Sequence, residues 1–238
     1  MSVITVVKND AVGLERTLAS VKLQKFKKIQ LIVVDGGSTD GTLEVIKKYA
    51  SSIDLWLSEI DGGIYDAMNK GVDRANGEWL IFMNAGDEFQ NESALSAAVE
   101  ATGPLIDVVY SDWIFRDDGL RVGASVPKMN FRHQAVMYRR QLHDIYGNYL
   151  IGKGVTISDY IFFLSIKDRI WAYCPQPIAL CDRNGVSAKP KHFYQRLAVE
   201  LIFGERSRFS VACILLAYPL YRFIKIFYKK MRKMAAYK

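Results

Sequence analysis

Residues 58–89 read SEIDGGIYDAMNKGVDRANGEWLIFMNAGDEF and contain the clearest structural pattern in the chain. Gly62-Gly63 precede apolar residues at helical spacing, which predicts a helix over Tyr65–Ala75. The apolar run Trp79–Met83 predicts a buried strand after that helix. The polar residues Asn84–Asp87 follow the strand. The stretch therefore predicts a helix–strand unit of an α/β fold, with a polar cluster where the strand ends.

The same alternation of apolar strands and amphipathic helices continues on both sides. Upstream it predicts strands at Val3–Val7, Gln30–Val34 and Leu55–Leu57, and helices at Ala11–Gln24 and Thr39–Tyr49. Downstream, weaker patterns predict a strand at Asp107–Tyr110, a helix at Ser158–Lys167, a strand at Ile170–Cys174 and a mobile loop over Asp182–Lys191. Apolar strands separated by helices predict a mostly parallel sheet covered on both faces, which is the α/β class.

Length and composition limit the class of protein. The chain has 238 residues, of which 50% are apolar and 24% charged, so we expect one sizeable core with a terminal appendage and exclude disorder and a polytopic membrane protein. Its three cysteines have no CxxC spacing, which argues against a disulfide framework and a zinc site. The N-terminus does not resemble a signal peptide, so we expect exposure to the cytoplasm.

The positive charge is concentrated at the end of the chain. Residues 204–238 carry nine Lys or Arg and one Glu, a net of +8, which leaves 23 − 24 = −1 for residues 1–203. A nearly neutral body argues against a nucleic-acid partner. Residues 209–221 are uncharged but fall short of the roughly 20 residues that span a bilayer. We expect an interfacial basic helix on a membrane surface; the alternative is a helix packed on the body, followed by a solvated basic end.

Polar residues follow each of the first four predicted strands. They are Lys8-Asn9-Asp10, Asp35–Ser38, Ser58–Gly63 and Asn84–Asp87. Ligands bind beyond the carboxyl ends of strands in open α/β sheets, so these segments predict a binding site. Asp35 could accept from a nucleobase or a ribose hydroxyl, or the segment could be a tight turn capped by Ser38 or Asp40.

Asp87 and Asn84 place side-chain oxygens together after the fourth predicted strand. Oxygen ligands suit a hard divalent cation that bridges a diphosphate. An Asp after a strand also commonly forms a turn, so the residues alone leave both interpretations open.

The segment Ser58–Gly71 resembles a signature of family 2 glycosyltransferases, including bacterial enzymes of exopolysaccharide, colanic-acid and O-antigen biosynthesis. Val33–Thr42 resembles that family's nucleotide-binding segment, and Phe82–Asp87 stands where its metal-binding DxD-type motif falls. The resemblance covers about residues 1–90 well and residues 130–165 more loosely.

The resemblance implies a GT-A fold that binds a nucleotide-sugar donor, a UDP-sugar first and a GDP- or dTDP-sugar as alternatives. The donor residues that it implies are Thr5, Val7, Asn9, Asp35, Asp61, Asn84, Ala85, Gly86 and Asp87. Asp87 matches the family's ligand for Mg²⁺ or Mn²⁺. Gly86 stands where many relatives have another acid, and Met68 replaces an arginine common in other branches.

The resemblance also implies a catalytic base. Ser158–Leu164 is similar to the family's acceptor-side helix, which makes Asp159 the candidate for deprotonating an acceptor hydroxyl in an inverting displacement. The alternative is that Asp159 only caps its helix. His133, Asp66 and Lys70 are further candidates for acceptor or phosphate contact, although Asp66 and Lys70 could also form an i,i+4 pair on a helix.

These patterns predict a GT-A domain over residues 1–203, with a donor half (1–110) and an acceptor half (111–203), and a basic amphipathic tail over 204–238. The predicted function is inverting transfer of a sugar to a lipid-linked glycan for surface polysaccharide such as lipopolysaccharide or capsule, on the cytoplasmic face of the inner membrane. Two alternatives are a methyltransferase on a Rossmann-like sheet and a catalytically inactive nucleotide-binding scaffold.

Overall fold

The computed structural model describes residues 1–183 and 190–218. The chain divides into two compact units, Met1–Ala188 and Lys189–Lys238. The predicted limit between residues 203 and 204 therefore falls inside the second unit.

The described part of the first unit contains nine strands and six helices. The strands are β1 Ser2–Val7, β2 Gln30–Asp35, β3 Leu55–Ser58, β4 Trp79–Phe82, β5 Glu88–Phe89, β6 Val108–Phe115, β7 Arg121–Val122, β8 Val136–Arg139 and β9 Trp171–Cys181. The helices are α1 Ala11–Lys22, α2 Thr42–Lys48, α3 Ile64–Arg74, α4 Ala94–Glu100, α5 Leu142–Tyr146 and α6 Ser158–Ser165. Short 3₁₀ helices lie at Ala50–Ser52 and His133–Ala135.

All nine strands form one mixed, mostly parallel sheet in the order β3-β2-β1-β4-β8-β6-β9-β5, with β7 beside β6. Parallel pairing joins β1 to β2 and β4, β2 to β3, and β6 to β9. Strand β8 runs antiparallel between β4 and β6. Because β1, β2, β3 and β4 run in the same direction, their carboxyl ends meet at one edge of the sheet. The structure thus confirms an α/β fold, and β5, β7 and β8 are the antiparallel departures.

Alternation along β1 explains why helices cover both faces. Successive strand residues point to opposite faces, so Val3 and Ile4 lie on different sides of the sheet. Val3 belongs to the core formed with Leu14 and Leu18 of α1. On the other face, a Cβ added at Gly71 of α3 would collide with the side chain of Ile4. A glycine at this position therefore lets α3 lie directly against β1.

Helix α6 packs on the α3 side of the sheet through aromatic rings. Phe162 and Phe163 lie 5.4 and 5.7 Å from the ring of Tyr138 on β8. The ring of Tyr149 lies 5.4 Å from Phe162 and 5.8 Å from Phe82 of β4. These contacts fix the start of α6 close to the end of β4, which is where the predicted site lies.

The described residues of the second unit are 190–218. Helix α7 spans Pro190–Ile202, and residues 208–218 are also helical. The rings of Phe193 and Tyr218 stack at 3.8 Å, and buried Glu200 forms ion pairs with Arg196 and Arg206. The loop predicted to end at Lys191 is too long, because α7 begins at Pro190; residues 184–189 of it lie outside the described residues.

The predicted interfacial tail lies largely outside the described residues, which end at residue 218. Across residues 1–183 and 190–218, no helix is both long and apolar enough to cross a membrane.

Candidate active site

The loops after β1 and β2 are joined to each other. Asn9 has a φ of 52°, a left-handed conformation that Asn tolerates better than most residues. Its backbone N–H donates to Ser38 Oγ at 2.7 Å, and its Oδ1 accepts from the N–H of Thr39 at 2.8 Å. The predicted donor residue Asn9 therefore lies at the expected edge and links these two loops.

Asp35 lies at the end of β2 and is fully buried. Its carboxylate accepts hydrogen bonds from the Ser38 N–H at 3.0 Å, from Ser38 Oγ, and from Ser58 Oγ at 2.6 Å. Asp40 accepts from the Thr42 N–H at 3.0 Å, but the N-cap of α2 is Gly41, so the expected cap by Ser38 or Asp40 is not formed. In this arrangement Asp35 braces the ends of β2 and β3 and has no exposed surface.

Asp61 packs against the loop after β2. A Cβ at Gly36 would collide with its carboxylate, so Gly36 is the residue that lets Asp61 approach. The side chain of Asp61 is only 6% exposed, lies 3.8 Å from Lys8 Nζ and accepts from the Gly63 N–H at 3.0 Å. These contacts bring the loops after β1, β2 and β3 together.

Lys70 forms ion pairs with two acidic side chains. Its Nζ lies 3.2 Å from Asp66 and 2.8 Å from Glu59. Asp66 also accepts from the Gly62 N–H at 2.8 Å. The predicted i,i+4 pair on α3 is therefore formed, and both side chains are engaged with the protein.

The loop Asn84–Asp87 is held in place by Thr17 of α1. Thr17 Oγ1 lies 2.6 Å from the Asp87 carbonyl oxygen and accepts from the Gly86 N–H at 3.1 Å. Gly86 has a φ of 95°, which strains any residue with a side chain. A Cβ there would lie 3.6 Å from Asp10 Oδ2, so an acid at position 86 would also meet a neighbouring carboxylate. Any residue other than glycine at position 86 would therefore be strained in this backbone.

Asp87 is a partly buried carboxylate with an amide partner. Gln134 Nε2 donates to its Oδ2 at 2.6 Å. Burial raises the pKa of the Asp87 carboxyl, and the hydrogen bond from Gln134 opposes that shift. The amide oxygens Asn84 Oδ1 and Gln134 Oε1 are buried without a hydrogen-bond partner.

This donor set fits a divalent cation that takes its remaining ligands from a diphosphate and water. Mg²⁺ is commonly held by one or two carboxylates together with substrate phosphates, and a buried amide oxygen without a partner is a suitable further ligand. Within the described residues, no group of three His, Cys, Asp or Glu side chains could hold a metal ion alone. At this edge of the sheet, the side chains that fit Mg²⁺ or Mn²⁺ are thus the Asp87 carboxylate and the amide oxygens Asn84 Oδ1 and Gln134 Oε1.

The candidate base Asp159 lies in the first turn of α6 and is joined to this loop through His133. His133 Nδ1 lies 2.9 Å from Asp159 Oδ2, and its Nε2 lies 3.0 Å from Asn84 Nδ2. Tyr65 of α3 donates its hydroxyl to Asp159 Oδ1 at 2.7 Å. Four residues from distant parts of the sequence therefore form one hydrogen-bonded chain.

The environment of Asp159 favours its charged form. Burial alone would raise the pKa of the Asp159 carboxyl, but the hydrogen bond from His133 and the one from Tyr65 outweigh it, and the pKa is lowered. Its side chain is 19% exposed. Asp159 is therefore an anion with restricted access to solvent, which suits the acceptance of a proton from a substrate hydroxyl.

The remaining predicted donor residues lie on β1 and in the loop after β4. Thr5 is fully buried and its Oγ1 has no hydrogen-bond partner. The carbonyl of Val7 accepts from the Gly36 N–H at 2.9 Å, and the N–H of Ala85 donates to Val6 at 3.1 Å. Val7 and Ala85 thus position the loops through their backbones.

Sequence reasoning missed Tyr65 and Gln134. Gln134 adjoins His133 in the segment that resembles the family, so its position was a usable signal, whereas nothing in the sequence pairs Tyr65 with Asp159. Arg116 was also missed; its guanidinium donates to the Gly86 carbonyl at 2.6 Å and lies 2.8 Å from Glu88.

Comparison with known proteins agrees with this geometry. Residues 2–157 match the family model described as glycosyl transferase family 2. A PGL/p-HBAD biosynthesis glycosyltransferase of Mycobacterium bovis is 36% identical over 159 residues, which are 62% of each chain. The glycosyltransferase YibD of Escherichia coli is 28% identical over 179 residues, 70% of this chain and 51% of YibD. The chain therefore spans about three fifths of the length of its mycobacterial relative.

Two solved structures share the fold at low sequence identity. The mannosyltransferase PcManGT of Pyrobaculum calidifontis, in complex with GDP-Man and Mn²⁺, has a TM-score of 0.70 at 21% identity, covering 87% of this chain and 64% of PcManGT. TarS 1-349 of S. aureus, in complex with UDP-GlcNAc, has a TM-score of 0.68 at 21% identity, covering 85% and 65%. The methyltransferase alternative gains no support from any of these matches.

Proposed function

The chain belongs to glycosyl transferase family 2, and from this premise we propose that it transfers a sugar from a nucleotide-diphosphate sugar to a hydroxyl group, with inversion at the anomeric carbon. One observation carries the proposal beyond family membership. Asp159, from the acceptor half, is hydrogen-bonded through His133 to Asn84 in the loop that contains Asp87. A candidate base and a candidate diphosphate site therefore meet at one edge of the sheet.

In the proposed reaction, Asp159 accepts the proton of the acceptor hydroxyl as that oxygen attacks the anomeric carbon. A new carbon–oxygen bond forms on one face of the sugar while the bond to the diphosphate breaks on the other, so the configuration inverts. The nucleoside diphosphate leaves with the bonding electron pair. Asp159 suits this role because its two hydrogen-bonding partners, Tyr65 and His133, hold the carboxylate in one orientation.

Asp87, Asn84 and Gln134 would hold the divalent cation. When bound, Mg²⁺ or Mn²⁺ would neutralise charge that develops on the departing diphosphate. Gln134 keeps the Asp87 carboxylate oriented by its 2.6 Å hydrogen bond. Thr17 keeps the backbone of the loop fixed, so the ligands are positioned before the donor binds.

The structural relatives guide the choice of donors to test. TarS was solved with UDP-GlcNAc and PcManGT with GDP-Man. We propose a UDP-sugar as the donor, with GDP- and dTDP-sugars as the alternatives.

For the acceptor we propose a lipid-linked glycan of a surface polysaccharide, used at the cytoplasmic face of the inner membrane. The net charge of +8 over residues 204–238 supports this location, because lysine and arginine clusters favour anionic lipid. Co-sedimentation with anionic vesicles tests it. Lys229→Gln and Lys230→Gln should together weaken binding, and wild-type protein that ignores such vesicles at low salt would contradict the location.

A transfer assay tests the activity. Wild-type protein is incubated with each nucleotide sugar, a lipid-linked acceptor and Mn²⁺, and product is measured beside Asp87→Asn and Asp159→Asn. Asp144→Asn, an exposed acid on α5, is the matched control. We expect both site variants to lose activity at least about 100-fold and the control to retain it. Nucleotide binding without turnover by the wild type would favour the inactive scaffold.

A further inference from the structure

His133 has no direct part in the proposed chemistry, yet both of its ring nitrogens are engaged inside the site. Nδ1 faces Asp159 at 2.9 Å and Nε2 faces the amide nitrogen of Asn84 at 3.0 Å. Its side chain is 17% exposed. Both ring nitrogens of His133 therefore already have partners within the protein.

The contacts of His133 hold its ring between two parts of the site. On one side the imidazole contacts the Asp159 carboxylate, and on the other it contacts the Asn84 amide nitrogen. The hydrogen bond between His133 and Asp159 favours the charged form of the carboxylate and fixes its orientation.

The network also spans the two halves of the site. His133 lies in a 3₁₀ helix that directly precedes β8, whereas Asp159 lies in the first turn of α6 and Asn84 in the loop after β4. Tyr65 reaches the other carboxylate oxygen from α3. The orientation of the carboxylate is therefore fixed relative to the loop of Asp87 rather than to α6 alone.

We propose that His133 is a positioning residue, which orients the Asp159 carboxylate and connects it through Asn84 to the donor loop. This inference rests on the proposed function, because it assumes that Asp159 acts on a substrate. It assigns the HQ pair at 133–134 two tasks: His133 orients the base, and Gln134 orients Asp87.

Several titratable groups face Asp159, and they determine what a pH profile reports. They are His133 from the 3₁₀ helix, Tyr65 from α3, Tyr138 from β8 and Tyr149 from the loop before α6. The phenols stay neutral in the range of an assay because burial raises the pKa of each one. Loss of the His133 hydrogen bond would therefore let the Asp159 carboxyl protonate at a higher pH.

The first test compares kcat and KM against pH for wild type, His133→Ala and His133→Asn. We expect His133→Ala to lower kcat roughly 10- to 100-fold with the donor KM within about threefold, and to move the acid limb of kcat to higher pH. His133→Asn, which retains an N–H donor, should recover part of both effects. His192→Ala, in the second unit, is the matched control. An unchanged kcat and acid limb in His133→Ala would overturn the proposal.

A second test does not depend on activity. Carboxyl ¹³C spectra of aspartate-labelled protein should show the Asp159 carboxyl protonating at a higher pH in His133→Ala than in the wild type, with His133→Asn in between. The same titration of Asp159 in all three proteins would overturn the proposal. If the wild type transfers no sugar from any donor, the proposed function fails, while the spectra still decide whether His133 acts on the Asp159 carboxylate.

Discussion

His143 packs against α6, the helix that carries the candidate base. It should make the free energy of unfolding of the protein depend on pH. It is buried on α5, stacks on Phe162 of α6 at 4.4 Å, and lies 2.9 Å from the hydroxyl of Tyr138 through Nε2. Burial lowers the pKa of His143 to about 4, although the hydrogen bond to the Gly147 carbonyl opposes this shift. The perturbation we consider is acidification of wild-type protein beside a His143→Phe variant.

The sign and size of the effect follow from that pKa. The unfolded chain takes up a proton on His143 near pH 6.5, whereas the folded protein does so only near pH 4. Between these values the unfolded state binds more protons, so stability falls as the pH falls. The pKa of His143 is about 2.5 lower in the folded protein than in the unfolded chain. At about 1.36 kcal/mol for each pH unit, this difference corresponds to a loss of about 3 kcal/mol in the free energy of unfolding.

Urea unfolding at pH 7, 6, 5 and 4 measures this loss. We expect wild type to lose about 3 kcal/mol more than His143→Phe over that range, because the phenyl ring keeps the stack on Phe162 and cannot titrate. The hydroxyl of Tyr138 retains Tyr149 as a partner at 2.7 Å in the variant. Parallel stability curves for the two proteins would refute the reasoning, since all other groups titrate equally in both.

Three further predictions concern the site itself. Gly36→Ala displaces Asp61, so calorimetry should show the affinity for the donor nucleotide falling at least tenfold. The control Gly123→Ala, where the added Cβ meets open space, should bind the nucleotide normally. Asp87→Asn removes a partly buried carboxyl whose pKa is raised, so it should abolish transfer yet unfold in urea no earlier than wild type; a clear loss of stability would contradict this. Tyr65→Phe removes a hydrogen bond to the charged Asp159 carboxylate and should cost about 1.5–3 kcal/mol at pH 7, twice the loss in Tyr149→Phe; equal losses would count against it.

The sequence predicts the first half of the fold well because β1, β2 and β4 are buried and apolar. Their runs differ clearly from the amphipathic helices between them, and the predicted bounds lie within a few residues of those observed. The second half was harder to predict. Strand β9 extends to Cys181 with two prolines inside it, and β5 and β7 have only two residues each, too few for a periodic signal.

The positions of the site residues were predictable where they follow strands. Asp61, Asn84 and Asp87 lie at the common edge because parallel strands end there. What each side chain contacts was not predictable. The Asp35 carboxylate accepts hydrogen bonds from two serines inside the protein, and both ring nitrogens of His133 contact other side chains. Such details depend on contacts between residues far apart in sequence, which no local pattern encodes.

The anomeric configuration of the product tests the central claim most directly. The wild type is given an α-linked nucleotide sugar, and the glycosidic linkage in the product is determined by NMR. A single displacement assisted by Asp159 predicts a β-linked product, with formation slowed at least about 100-fold in Asp159→Asn while nucleotide binding persists. An α-linked product, or an Asp159→Asn variant as active as wild type, would contradict the account.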